Sequence, residues 1–187
     1  YDVSNASYTR SLVGAFASRF NELGGSVITD VTFNAKEKTS FFDLARKTAA
    51  RRPQAVFIIA GSVDSAMICQ QLKKIGSPAS IFIAEWSGTN EFLKAGGIAV
   101  SGVEAFLHFN SNSTAPAYVK FKNDYLKQYG DTPSFAATYS YEVILIIAEA
   151  LRKSPDTARL KESILGIGTF NGLQGELVID RFGDPVR

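Results

Sequence analysis

Between residues 8 and 23 the apolar side chains Leu12, Val13, Phe16, Phe20 and Leu23 recur every three or four positions, which predicts a helix with one buried face. Gly24-Gly25 then offers a left-handed stop. Residues 26–33 are rich in β-branched side chains and read as a strand. Ser40, with Asp43 three residues on, resembles a capping box and opens a helix through Arg51, which Pro53 closes. The run Ala55-Val56-Phe57-Ile58-Ile59-Ala60 is apolar throughout, as suits a parallel strand covered on both faces. Helical spacing returns over 63–75 at Met67, Ile68, Leu72 and Ile75, and Gly76 caps it. Residues 80–84 repeat the buried-strand pattern, followed by a turn at Glu85-Trp86-Ser87-Gly88 and a short helix ending at Gly96-Gly97. Strand, helix, strand, helix, strand implies right-handed crossovers and a parallel sheet.

Residues 101–109 alternate Val103, Ala105, Leu107 and Phe109 against Glu104, Phe106 and His108, which predicts one more strand. The composition then shifts. Residues 110–115 are small and polar, the mark of a linker or a crossing between lobes. Pro116 suits the first turn of a helix that carries Tyr118, Phe121, Tyr125 and Tyr129 along one side and stops at Gly130. After a turn at Asp131-Thr132-Pro133, residues 136–152 are expected to form the most buried helix of the chain. A last helix near 157–165 leads through Gly172 and Gly175 to a final strand over 176–180. The fold class this order predicts is α/β, built on a three-layer αβα parallel sheet.

Three strand-like runs end in a short loop that opens a helix, at residues 1–8, 60–64 and 85–89. Ligands of open parallel sheets sit outside the carboxyl ends of the strands, so these loops are expected to converge on one small-molecule site. Tyr1 reads as the end of a strand whose body would precede it.

Bulk properties narrow the function classes. The 187 residues are 45% hydrophobic and 20% charged, with a net charge of +2, which suits a globular chain and gives no reason to expect nucleic acid. The basic cluster Arg46, Lys47, Arg51 and Arg52 sits at a predicted helix C-terminus, where cations offset the helix dipole. No stretch approaches the roughly 20 apolar residues of a membrane span, so no direct membrane insertion is expected. The single cysteine, Cys69, allows no internal disulfide and reads as a small core residue.

A reactive centre is hard to build from this chain. His108 is the only histidine and lies in a predicted strand without a sequence-near partner. Ser62 follows Gly61 but lacks the second glycine of a nucleophile elbow. No phosphate-cradling glycine loop, dinucleotide fingerprint or metal-ligand spacing occurs, so neither cofactor nor metal is expected.

Binding finds better material. Tyr8 can present a ring face and a hydroxyl together at the start of the first helix, or serve as a hydrophobic staple. Gly61, Ser62 and the amides after them open a helix and can receive a carboxylate, a role compatible with that of a plain N-cap. Glu85 directly follows a buried strand, where its carboxylate can pair with an ammonium. Trp86, the only tryptophan, can hold a cation or an apolar group against its ring.

With these residues in view, nearly the whole chain resembles the distal half of a type I periplasmic solute-binding protein, of the branch serving ABC importers of branched-chain and other hydrophobic amino acids. The likeness rests on Tyr1-Asp2 with Tyr8, on Phe41, Leu44, Pro53, Ala55 and Val56, and on Gly61, Gln70, Gln71, Leu72 and Gly76. Gly102-Val103, Phe121, Tyr125, Tyr129-Gly130, Pro133, Tyr141-Glu142, Phe170-Asn171-Gly172, Gly175, Asp180 and Gly183-Asp184 continue it. The resemblance implies residues 1–108 as most of the second ligand-binding lobe. Residues 109–187 would be a returning, incomplete part of the first lobe. It also implies hinge closure on a small amino acid or related carboxylate, a membrane permease as partner, and a periplasmic or extracytoplasmic location. Family ligand contacts map onto Tyr8, the Gly61-Ser62 loop, Glu85 and Phe135. Relatives that bind leucine-like ligands often carry an aromatic residue where this chain has Gly61-Ser62; Trp86 is expected to fill part of that space, which leaves other amino acids and small aromatic or aliphatic acids open.

Two other readings use the same residues. One is the ligand-sensing ectodomain of a receptor or kinase, on the same fold. The other is an α/β enzyme using Ser62 or Glu85, which requires His108 within hydrogen-bond reach of Ser62.

Overall fold

A computed structural model of the chain describes residues 1–186. The chain divides into two compact units, Tyr1–His108 and Phe109–Arg187. In the first, the order is α1 (Ala6–Glu22), α2 (Phe41–Ala49), β1 (Ala55–Ile58), α3 (Ser62–Lys74), β2 (Ser80–Ile83), α4 (Asn90–Gly96) and β3 (Glu104–Ala105). The three strands pair in parallel in the order β1-β2-β3, with Ala55 opposite Ser80 and Ile58 opposite Ile83. The α/β parallel sheet is the one the hydrophobic pattern predicts.

Local chemistry starts and stops these helices. At the end of α1 the Gly25 amide donates to the Phe20 carbonyl and the Gly24 amide to that of Asn21, with Gly24 left-handed at φ 85°. That double closure needs the backbone freedom of glycine at Gly24. α2 opens where the Ser40 hydroxyl accepts the Asp43 amide at 3.2 Å. α3 buries Ser65, Ala66, Ile68, Cys69 and Leu72, in a core with Ile58, Ile81, Ile83 and Phe92. Burial pushes the Cys69 thiol up to about 12, so it stays a thiol at neutral pH and packs as an apolar group.

Two predicted strands shrink. Residues 26–33 contribute only the parallel bridge Asp2–Phe33, and Val27 and Ile28 are exposed. Their pattern is strand-like, and the described backbone bonds beside them are those of Tyr1, Asp2 and Val3 with Val31 and Phe33. Residues 101–109 yield only the two-residue β3. Its partner β2 stops at Ile83 and the chain turns, through a 3-10 turn at Glu85–Ser87. The amide of His108 then goes to a side chain, described below.

The second unit comprises α5 (Pro116–Tyr129), α6 (Phe135–Lys153), α7 (Leu160–Leu165), β4 (Thr169–Gly172), β5 (Gly175–Ile179) and β6 (Pro185–Val186). Its strands are antiparallel in the order β4-β5-β6. β5 is the predicted last strand. β4, with Phe170 as its one large apolar residue, carries no alternating pattern and was not foreseen; nor was β6. Pro116 stands at the first turn of α5 and Ser134 caps α6.

α6 is not the most buried helix. It buries Thr138, Glu142 and Ala150, whereas Tyr141, Val143 and Ile144 are exposed. Its sequence is apolar nearly all round, which predicted burial on every side; in its own unit only one side has cover. The buried Glu142 carboxylate is satisfied by the Leu173 amide at 2.6 Å.

Candidate ligand-binding site

The carboxyl ends of β1 and β2 lead into Ala60-Gly61 and Ala84-Glu85, and the first residues of the chain run beside β1. The Asp2 amide donates to the Ile59 carbonyl at 3.0 Å. Asp2 is buried and its carboxylate accepts the Ser4 amide at 2.8 Å, the Ser4 hydroxyl at 2.7 Å and the Ala35 amide at 3.0 Å. Burial by itself raises this carboxyl, but those donors outweigh it and hold the group below the usual range. The buried Thr9 hydroxyl donates to the Asp2 carbonyl at 2.7 Å and ties α1 to the same corner.

The three loops therefore meet. The Tyr8 and Trp86 rings lie edge to face, centroids 5.7 Å apart and planes at 87°. Trp86 also borders Gly61: a β-carbon there would lie 3.9 Å from Trp86 Cζ2 and 4.0 Å from Asp64 Oδ2. The Thr89 hydroxyl donates to Ser62 Oγ at 2.8 Å. Beneath them the Ser87 hydroxyl donates to the Ala60 carbonyl at 2.8 Å, which leaves Ser65 as donor in the buried 2.8 Å Ser65–Ser87 contact. This hydroxyl chain locks the end of β1, the first turn of α3 and the turn after β2 into one rigid corner.

Glu85 points into the same region. Its charge, after burial, pushes the Tyr8 hydroxyl above the ordinary phenol range. The carboxylate is also engaged by its own chain: the His108 amide donates to Oε1 at 3.0 Å, and His108 Nδ1 lies 3.3 Å from Oε2. His108 thus has a partner that sequence distance concealed. It is not Ser62, whose hydroxyl is bonded to Thr89, so the Ser–His couple required by an enzyme reading is not formed.

Five of the six candidate residues, Tyr8, Gly61, Ser62, Glu85 and Trp86, stand together at the carboxyl ends of the parallel strands. Phe135 belongs to the second unit, where it packs beside Tyr139 against a cluster of Phe109, Tyr118 and Leu173. Sequence reasoning missed Asp64, Thr89, the contact of His108 with Glu85 and the Ser65–Ser87 pair. Thr89 and Asp64 close the two loops already singled out; the other contacts carry no sequence signal. A separate surface depression, lined by Asp43, Arg46, Lys47 and Ile75, lies at the far end of α3, about 20 Å along the helix. It has no part in this corner.

A family model described as periplasmic binding protein matches residues 3–184. The chain belongs to the periplasmic binding protein family. The leucine-binding protein LivK of Thermotoga maritima is 26% identical, with a TM-score of 0.87 over 96% of this chain and 52% of its own. The branched-chain amino acid substrate-binding protein LivJ of Streptococcus pneumoniae, solved with isoleucine, is 20% identical, with a TM-score of 0.80 over 93% of this chain and 51% of its own. A solute-binding protein of R. palustris in complex with benzoate is 17% identical, with a TM-score of 0.84 over 95% of this chain and 50% of its own. No curated protein matches.

These periplasmic binding proteins bind substrates and are not enzymes, and the chain has their type I fold. It spans about half the length of the solved relatives it matches. Among the described residues no helix is long and apolar enough to cross a membrane, and no cluster of three or more His, Cys, Asp and Glu could hold a metal ion.

Proposed function

We propose that this chain supplies one wall of the ligand site of an extracytoplasmic solute-binding protein that delivers a small amino acid or related carboxylate to the permease of an ABC-type importer. The observation that carries the reading is the meeting of Tyr8, Gly61, Ser62 and Trp86 at the carboxyl ends of β1 and β2. Trp86 and Tyr8 hold the apolar body of the ligand; Gly61, Ser62 and Glu85 face its polar end. Phe135 is a further apolar contact on the strength of the family resemblance. Residues 1–108 form most of the family's second lobe and residues 109–187 a returning part of its first.

The names of the relatives support this choice of ligand. Leucine, isoleucine and benzoate each join a carboxylate to a compact apolar body, and an aromatic corner beside helix amides suits that shape. Titration calorimetry on the full-length protein, with the twenty amino acids, benzoate and 3,4-dihydroxybenzoate, tests the proposal. Binding that weakens at least about tenfold in Trp86→Ala and Glu85→Ala supports it. Unchanged affinity in both variants removes the site assignment.

A further inference from the structure

The chain's only histidine meets Glu85 twice. The His108 amide donates to Glu85 Oε1 at 3.0 Å, and ring Nδ1 lies 3.3 Å from Oε2. A carboxylate only accepts, so Nδ1 carries the proton in this contact. An exposed ion pair ordinarily contributes little, and the His108 side chain is 87% exposed. Two features set this one apart. The Glu85 side chain is only 21% exposed, and one residue engages both of its oxygens. The backbone that carries His108 is also seated. The Phe106 ring stacks on that of Phe82 in β2, with centroids 6.1 Å apart and planes at 17°. Leu107 lies so close over the turn after β2 that a β-carbon on Gly88 would stand 2.6 Å from its Cδ2. Residues 106, 107 and 108 thus run successively along β2 and the Glu85 turn, and the second unit begins at the next residue, Phe109.

We propose that His108 is a positioning residue for ligand recognition: it holds the Glu85 carboxylate in place for the ammonium of an amino acid, whose own carboxylate goes to the amides that open α3. The inference rests on the solute-binding reading above, which puts Glu85 at the ligand's polar end, and deepens it. A carboxylate has about four acceptor sites, so two contacts from His108 fix its orientation without exhausting it. A glutamate side chain has much rotamer freedom to lose, and one that is fixed before the ligand arrives loses less of it on binding. His108 need not touch the ligand to do this; it acts through Glu85.

Calorimetry on the full-length protein, with the best-binding amino acid of the twenty, tests the assignment as a double-mutant cycle. The exposed His108 side chain can be replaced without opening the core. His108→Ala is expected to weaken binding at least about threefold in the wild-type background and by less than about twofold beside Glu85→Gln. His108→Gln, whose side-chain amide can donate to the same oxygen, is expected to bind within about twofold of wild type. Equal losses in the two backgrounds show a merely structural role and overturn the inference. So does a His108→Ala loss smaller than about threefold, or His108→Gln as weak as His108→Ala; solute binding survives these results. If Glu85→Gln binds too weakly to titrate, rescue by His108→Gln decides. Wild-type affinity in Glu85→Gln removes Glu85 from the site, and this inference with it. If an acid binds and no amino acid does, this inference alone falls; if neither binds, the solute-binding reading falls as well.

Discussion

The rings of Trp86 and Tyr8 stand perpendicular at a centroid distance of 5.7 Å, although the two residues belong to different loops and distant parts of the chain. Each holds the other in a fixed orientation at the strand ends. Trp86→Ala is expected to lower stability by about 1–3 kcal/mol, from lost burial and the lost aromatic pair, and to weaken ligand binding by more than Tyr8→Phe does. Urea unfolding and calorimetry on the same preparations separate the two effects.

Gly61→Ala divides site from scaffold. Gly61 has φ −66°, which alanine adopts without strain, and the added methyl finds ordinary contact distances of 3.9 and 4.0 Å. Stability is therefore expected to stay within about 0.5 kcal/mol of wild type. The methyl adds bulk beside Trp86, where the proposed ligand would sit, so ligand affinity is expected to fall. A variant with unaltered melting and unaltered affinity removes Gly61 from the site.

Asp64 gives a pH dependence of defined sign. Its carboxyl is raised in the folded chain, so the native state binds this proton more tightly than the unfolded state does. Below the unfolded value of about pH 4 the group is protonated in both states and costs nothing. As pH rises through the raised native value the cost appears in full. Asp64→Asn is expected to melt higher than wild type at pH 7, with the difference shrinking toward pH 4 and below. Melting curves across that range check it, and a lower Tm at pH 7 contradicts it.

The buried hydroxyl chain makes a separate prediction. Ser87→Ala strips the Ala60 carbonyl of its donor and leaves the Ser65 hydroxyl without an acceptor, both in a buried setting. The expected cost is about 1–3 kcal/mol. Ser65→Ala removes one outer bond and leaves Ala60 paired, so it is expected to cost less. Chemical denaturation of both variants establishes the order.

Much of the fold was legible in the apolar pattern. The runs at Ala55 and Ser80 are short, continuous and separated by a helical period, and chain connectivity then forces parallel pairing with the helices on the faces. Where the pattern overstated the structure, the missing element was a partner. Val27 and Ile28 are good strand residues with no ladder beside them. Val143 and Ile144 belong to a helix that its own unit covers on one side only. β4 went unseen for the converse reason: Thr169 and Asn171 hold their places through pairing with Val178 and Glu176 on β5, not through their own hydrophobicity.

The site divides along the same line. Tyr8, Gly61, Ser62, Glu85 and Trp86 could be named from the sequence because each follows a strand-like run or opens a helix, and a parallel sheet gathers such positions at one edge. What only the tertiary structure decided is the state of each charge. Glu85 faces His108, Asp2 accepts two amides and a hydroxyl, and Asp64 lies beside Gly61 with no hydrogen bond or ion pair to its carboxylate among the described residues. Hydrophobic periodicity is a property of neighbours along the chain, so sequence alone determined the sheet and the loops at its carboxyl ends. Hydrogen bonding and electrostatics act across a few ångströms of space, so folding had to bring residues 64, 85, 86 and 108 together before the character of the wall was defined.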